Sequence, residues 1–216
     1  MTTRGLFIVF EGLDGSGTST QARMLQEGLA REGRRGFLTA EPTAGPIGGM
    51  IRLAMSHRLR FSSDPRVEDR QLAHLFAADR YDHLYNEVDG VLAQLASGAT
   101  VISTRYALSS FAYLCHDDAD RDLVQRLNQD FPPADLTFFV DTPVEVCVER
   151  IQARQFVGEK YENTEKLRTV RENFRRALAE YPHTLHVVDG RTEPGALHQQ
   201  ILGIVRDALD GLPRSG

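Results

Sequence analysis

Cysteine is scarce: the chain holds two, Cys115 and Cys147, and neither has a second thiol at the spacing of a metal or redox pair. That excludes a secreted disulfide scaffold, so both are expected to be buried thiols. Long apolar runs are missing as well. The longest, 6–10 and 136–140, fall far short of the roughly 20 residues of a membrane span. No signal-peptide pattern opens the chain, and a cytoplasmic protein is expected. Positive charge is in deficit, with 25 Lys and Arg against 30 Asp and Glu and a net charge of −5. This argues against a nucleic-acid or membrane-surface partner, both of which favour a basic face. A small anionic ligand remains open if basic side chains gather in one cleft. The seven histidines show no metal-binding spacing. Ser109 and Ser110 lack the flanking glycines of a nucleophile elbow, which leaves a hydrolase without support. No Asn-Lys-x-Asp run exists to read guanine, so a regulatory GTPase is disfavoured.

What is present is an ordinary globular composition, 41% hydrophobic and 25% charged over 216 residues, with 18 Gly and 9 Pro scattered rather than repeated. One domain over 1–216 is expected, with a frayed tail at 212–216. Short β-type runs alternate with amphipathic stretches, the pattern of a parallel sheet covered by helices on both faces. The strands are expected at 6–10, 36–40, 100–103, 135–140 and around 186–188. A long helical region is expected from Val67 to Ser97, stopped by Gly98. Helical spacing also joins Leu123, Val124 and Leu127, then Val144, Val146, Cys147 and Ile151. A last helix is expected from Pro194 to Leu209. The stretches 40–67 and 154–163 read as long loops, the kind that act as lids or binding segments.

Directly after the first apolar run come Gly12, Leu13, Asp14, Gly15, Ser16, Gly17, Thr18, Ser19 and Thr20, opening into helical spacing at Gln21, Met24, Leu25 and Leu29. This is the place of a phosphate loop, where glycines let main-chain N–H groups turn inward and a helix N-terminus adds a favourable dipole. One position departs: Thr18 stands where the pattern has lysine. Ser19 keeps the magnesium-ligand position. A glycine-rich turn that binds nothing is the alternative, and this motif alone does not decide between them.

Phe10 to Gly17 followed by Ser19, Thr20 and Gln21 resembles the phosphate loop of thymidylate kinases. Four further segments resemble that family in the same order: Glu41 and Pro42 with 45–48, Ile51 and Arg52; 75–80; 101–106 with Ser109, Ser110 and Tyr113; and 133–140. The resemblance implies a three-layer P-loop fold of the nucleoside monophosphate kinase type with a five-stranded parallel sheet. It also implies transfer of the ATP γ-phosphoryl group to dTMP with Mg2+, between small-molecule nucleotides, by a homodimer joined through helices near 67–97. By family position, Gly12, Asp14, Gly15, Ser16, Gly17, Thr18, Ser19 and Thr20 hold the ATP phosphates. Arg80 and Arg105 contact the acceptor nucleotide and its phosphate, Phe76 stacks on its base, and Glu41, Pro42, Arg52, Ser109, Ser110 and Tyr113 complete its pocket. Asp14 reaches the acceptor sugar or the surroundings of the metal. A lid is implied at about 150–163, where Arg154, then Arg150, would supply a catalytic charge, with Lys160 nearby.

Four positions differ from the family pattern. Thr18 replaces the loop lysine, Thr104 an aspartate before Arg105, Ala40 an arginine before Glu41, and Leu114 a glutamine that reads the base. Alternatives that these leave open are a kinase for another or modified pyrimidine deoxynucleotide, and a catalytically weakened nucleotide binder acting through a partner.

Overall fold

A computed structural model describes residues 4–154 and 162–212. Five strands, β1 (Phe7–Glu11), β2 (Gly36–Ala40), β3 (Thr100–Thr104), β4 (Leu136–Asp141) and β5 (Leu185–Asp189), form one sheet in the order β2-β3-β1-β4-β5 with every pairing parallel. Parallel strands need crossovers, and here helices supply them and cover both faces. The helices are α1 (Thr18–Arg31), α2 (Pro46–Met55), α3 (Pro65–Tyr85), α4 (Val91–Ala96), α5 (Ala107–Leu114), α6 (Asp118–Asn128), α7 (Val144–Arg154), α8 (Glu162–Ala179) and α9 (Pro194–Asp210).

Alternation within the buried strands sorts the core into layers. Ile8, Phe10, Ile102, Phe138 and Val140 face Leu25 and Leu29 of α1 and Ile201 and Val205 of α9. Phe7, Val9 and Val101 face Leu84 of α3 and Leu95 of α4, while Phe139 meets Cys147, Leu167 and Phe174 of α7 and α8. The expected fold class and the five expected strands are therefore present. The first strand runs one residue later than expected, because Glu11 stays in the sheet and pairs with Phe139.

Two expectations are corrected. The stretch 40–67 is not one loop: it contains α2, started by Pro46 in the first helical turn. Gly48 and Gly49 lower its intrinsic helix propensity, and burial of Ile51 and Ala54 against Leu72 and Ala73 of α3 overrides that cost. The region 67–97 is not one helix but two. Asn86 ends α3, its side-chain oxygen accepting from Val88 N at 2.9 Å, and Gly90 N bonds to Asn86 O at 2.9 Å. Periodicity hid the break because Leu84, Val91 and Leu95 share one apolar face across it. The lid tip with Lys160, the side chain of Arg154 and the tail 213–216 lie outside the described residues. No helix among the described residues is long and apolar enough to cross a membrane.

Cys115 and Cys147 are free and buried. Burial pushes the Cys115 thiol up to about 12 and the Cys147 thiol up to about 11. Since the thiolate is the nucleophile, neither is reactive in the folded state. In a labelling assay at pH 8 with a chromogenic disulfide, both thiols are expected to react only on unfolding; fast labelling of either in the native chain would contradict the packing described.

Candidate active site

The carboxyl ends of β1, β3 and β4 meet at the centre of the sheet, where ligands of open α/β sheets bind. From β1 the chain turns through Gly12 (φ 154°), Gly15 (φ 82°) and Gly17 (φ 112°) into α1. Glycine is required there twice over. The backbone is in a region that L side chains avoid, and a Cβ at Gly12 would lie 2.9 Å from Val140 O, one at Gly15 2.6 Å from Cys147 O. Gly17 caps α1 with no side-chain hydrogen bond. The first-turn N–H groups of Thr18, Ser19 and Thr20 consequently have no carbonyl within the helix to bond and face outward.

The carbonyls of this loop are pulled the other way. Thr142 Oγ1 donates to Ser16 O at 3.0 Å, and Arg150 donates to Ser16 O at 3.1 Å, Gly15 O at 3.4 Å and Gly190 O at 2.9 Å. With its oxygens held at the back, the loop presents amides at the front, the arrangement that takes an anion. Ser16 Oγ is buried and has no hydrogen-bond partner among the described residues. That orphan hydroxyl, the three glycines and the open helix end fit a nucleotide phosphate chain. Ser19 is exposed, and its hydroxyl is a hard oxygen of the kind that magnesium takes. Among the described residues no cluster of three or more His, Cys, Asp or Glu could hold a metal alone, so a cation here would depend on phosphate oxygens. Arg150 thus reaches the loop, but its guanidinium is committed to carbonyls rather than directed at the anion position. Thr142 went unnoticed in the sequence, having no motif to mark it.

A second cavity opens beside Asp14 and is lined by Glu41, Pro42, Phe76, Arg80, Arg105, Ser109, Ser110, Tyr113 and Leu114, together with Asp69, Leu72, Tyr106 and Lys166. The fold thus brings nine of the expected site residues, from two helices and three connecting segments, into one space. Arg52 is the exception. It donates to the carbonyls of Pro42 and Thr43 and lines the neighbouring cleft with Ser19, Ala40 and Thr104. Ala40 and Thr104 sit opposite one another in the β2–β3 register, so two of the departures from the family pattern form one neutral pair.

Arg80 differs from expectation in being fully buried. Its Nε donates to Glu41 Oε2 at 2.9 Å, Nη2 donates to the same carboxylate and to Ser110 Oγ at 3.3 Å, and Nη1 donates to Asn128. His83 Nδ1 lies 3.1 Å from the other oxygen of Glu41. Arg80 therefore forms a wall of the cavity, its charge already met by Glu41. Asp79 accepts from Thr43 N at 2.8 Å and Thr43 Oγ1 at 2.6 Å, holding the 42–45 turn. Phe76 is half-buried, one side on the Ile51 and Leu72 cluster and the other on the cavity.

Arg105 is placed differently. It follows β3 with φ 71°, a left-handed conformation that costs a non-glycine residue about 1 kcal/mol or more. Its guanidinium donates to Asp14 Oδ1 at 2.5 Å, Tyr113 OH at 3.1 Å and Ser109 Oγ at 3.1 Å. Five N–H groups are available to a guanidinium, so two stay uncommitted among the described residues. Burial disfavours this charge, but Tyr113, Asp14 and Glu11 outweigh that and hold the group above its ordinary value. The same burial pushes the Tyr113 hydroxyl up to about 12 despite Arg105, so Tyr113 stays neutral.

Glu11 lies within the segment that resembles the family's phosphate loop, but the sequence assigns it no role of its own. Burial raises its carboxyl from 4.5 to about 7, against the opposing pull of the Ser109 hydrogen bond and Arg105. A group whose folded value is raised adds stability that is present below pH 4.5 and lost as pH rises through about 7. Glu11→Gln removes that loss, worth about 3 kcal/mol from the size of the shift. Thermal unfolding of the natural chain and Glu11→Gln is expected to show midpoints that diverge in favour of Gln between pH 5 and pH 8. Parallel curves would contradict the raised value.

The thymidylate kinase family model matches residues 10–201 of this chain. A protein of Treponema pallidum, provisionally named a thymidylate kinase, is 39% identical over 206 residues, covering 93% of this chain and 95% of its own. Proteins named as probable thymidylate kinases from Pyrococcus abyssi and Thermococcus kodakarensis are 34% and 33% identical over 210 residues, covering 97% and 94% of this chain and 100% and 98% of their own. With the match running from the phosphate loop to α9 and these relatives covered almost end to end, the chain belongs to the thymidylate kinase family.

Proposed function

We propose that this protein transfers the γ-phosphoryl group of ATP to dTMP, giving dTDP and ADP. The observation that carries the reading is the adjacency of two anion sites: the amide-lined loop at the start of α1 and the Arg105 guanidinium beside Asp14. Two phosphorylated molecules held there meet end to end, and phosphoryl transfer asks chiefly for such positioning and for neutralisation of charge.

In this reading the loop amides, the Ser16 hydroxyl and the dipole of α1 hold the donor phosphates, while Thr18 leaves the lysine's share of charge to other groups. Ser19 would hold a magnesium ion arriving with ATP, and that ion would supply neutralisation of phosphate charge. Arg105 takes the acceptor phosphate with its uncommitted N–H groups, and Phe76 with the apolar wall of Leu72 and Leu114 takes the base. Leu114 offers no hydrogen bond, so the thymine is selected there by shape and by its methyl group. Asp14 keeps Arg105 oriented and neighbours the metal. Arg154 belongs to the lid that closes over the phosphates, while Arg150 holds the phosphate loop from behind. Self-association is proposed through the exposed Tyr81 and Tyr85 of α3 and Val88 just beyond its end, and the working compartment is proposed to be the cytoplasm.

A coupled assay of ADP formation with ATP, magnesium and dTMP tests the activity; no turnover above background would defeat it. Arg105→Ala is expected to raise the KM for dTMP by about 30-fold or more, the scale of a lost charge-assisted hydrogen bond, and the KM for ATP by less than threefold. Equal losses for both substrates would contradict the assignment. Thr18→Lys is expected to change kcat by less than tenfold, because the amide cradle does not depend on that side chain; a gain of several orders would show that the natural loop is impaired.

A further inference from the structure

Arg105 reaches its place through a chain of contacts that begins at a residue with no exposure of its own. Glu11, at the end of β1, is fully buried. Its Oε1 accepts from Tyr106 N at 2.9 Å and Ser109 N at 3.2 Å, and its Oε2 accepts from Ser109 Oγ at 2.5 Å. The first two bonds satisfy amides at the start of α5, which has no side-chain cap of its own. A carboxylate from a distant strand does the work of a helix cap. By fixing Tyr106 N, it also closes the turn in which Arg105 holds its left-handed backbone.

The third bond sets a direction. With Glu11 ionised, above about pH 7, the Ser109 hydroxyl gives its proton to the carboxylate and its lone pairs are left for Arg105 Nη1, which donates to Ser109 Oγ at 3.1 Å. Glu11 therefore acts on both ends of the same residue, on the backbone through Tyr106 and on the guanidinium through Ser109. Ser103 Oγ adds a bond to Arg105 O at 3.0 Å, and Arg105 N donates to Phe10 O at 2.9 Å, so the turn is tied from β1 and from β3. None of the mechanism's other residues depends on this carboxylate in the same way. Arg80 has its own carboxylate in Glu41, and the phosphate loop has Thr142 and Arg150.

We propose that Glu11 is a positioning residue for acceptor recognition: it aims Arg105 at the acceptor phosphate through Ser109 without touching the nucleotide. This rests on the reading of the second cavity as the acceptor site. A glutamine at position 11 keeps one oxygen for the two amides but presents an N–H to Ser109 Oγ. The hydroxyl proton then points away from residue 11 and competes with Arg105 Nη1 for the space it occupies.

Calorimetric titration at pH 8, where Glu11 is mostly ionised, of the natural chain, Glu11→Gln, Ser109→Ala and the double variant with dTMP, thymidine and a non-hydrolysable ATP analogue tests this. Glu11→Gln is expected to weaken dTMP binding about tenfold or more while thymidine and the ATP analogue stay within twofold. Ser109→Ala is expected to do the same, and the double variant to be no weaker than the worse single one, since both cut one chain of contacts. A merely structural Glu11 would instead lower all three affinities together. That outcome, dTMP binding within twofold of the natural chain, or additive losses would overturn the proposal. Should Glu11→Gln fail to fold, Ser109→Ala decides alone through its dTMP and thymidine arms. Failure of the natural chain to bind dTMP would sink the acceptor-site reading itself, and this inference with it.

Discussion

The main-chain amides between β1 and α1 are the feature around which the rest is arranged. An unpaired N–H is costly in an apolar interior and useful at an anion site, and this turn keeps a set of them unpaired at the edge of the core. The glycines allow the turn, but they do not orient it. Orientation comes from behind, where Thr142 and Arg150 hold the carbonyls of Gly15 and Ser16. The side chain that might have been assigned to the ligand is thus spent on building the receptor for it.

The same division of labour recurs in the acceptor cavity. Arg80 and Glu41 form a buried pair, further tied to Asn128, Ser110 and His83, and a pair of that kind is held in place by the cost of separating its members. It shapes the wall. Arg105 keeps donors in reserve and sits between the glycine loop and the second cavity, bonded to Asp14 and Tyr113. Two arginines that look equivalent in a string of residues therefore hold different positions, one structural in its contacts and one open to a ligand.

Much of the fold was legible beforehand. The apolar runs of β1 and β4, the stop at Gly98 and the helix beginning at Pro194 follow from burial and backbone chemistry that act over a few residues. Failures came where packing between distant segments decides. Nothing in 40–67 announces α2 against its two glycines, and nothing in 67–97 distinguishes one long apolar face from two aligned ones. In the site, Gly12, Gly15 and Gly17 were readable because only glycine takes those angles so close to other backbone. Arg52 was not, since its donors go to carbonyls of a turn whose path depends on Asp79. Glu11 was not either, because a carboxylate after an apolar strand looks like the start of a loop.

By itself, the amino-acid sequence determined the class of fold, the glycine turn after β1 and membership of the family, because periodicity, glycine geometry and ordered motifs are properties of short segments. Only the tertiary structure decided which charges are already neutralised and which remain available. Availability depends on which partners from other elements come within hydrogen-bonding distance, and no local pattern of residues carries that information.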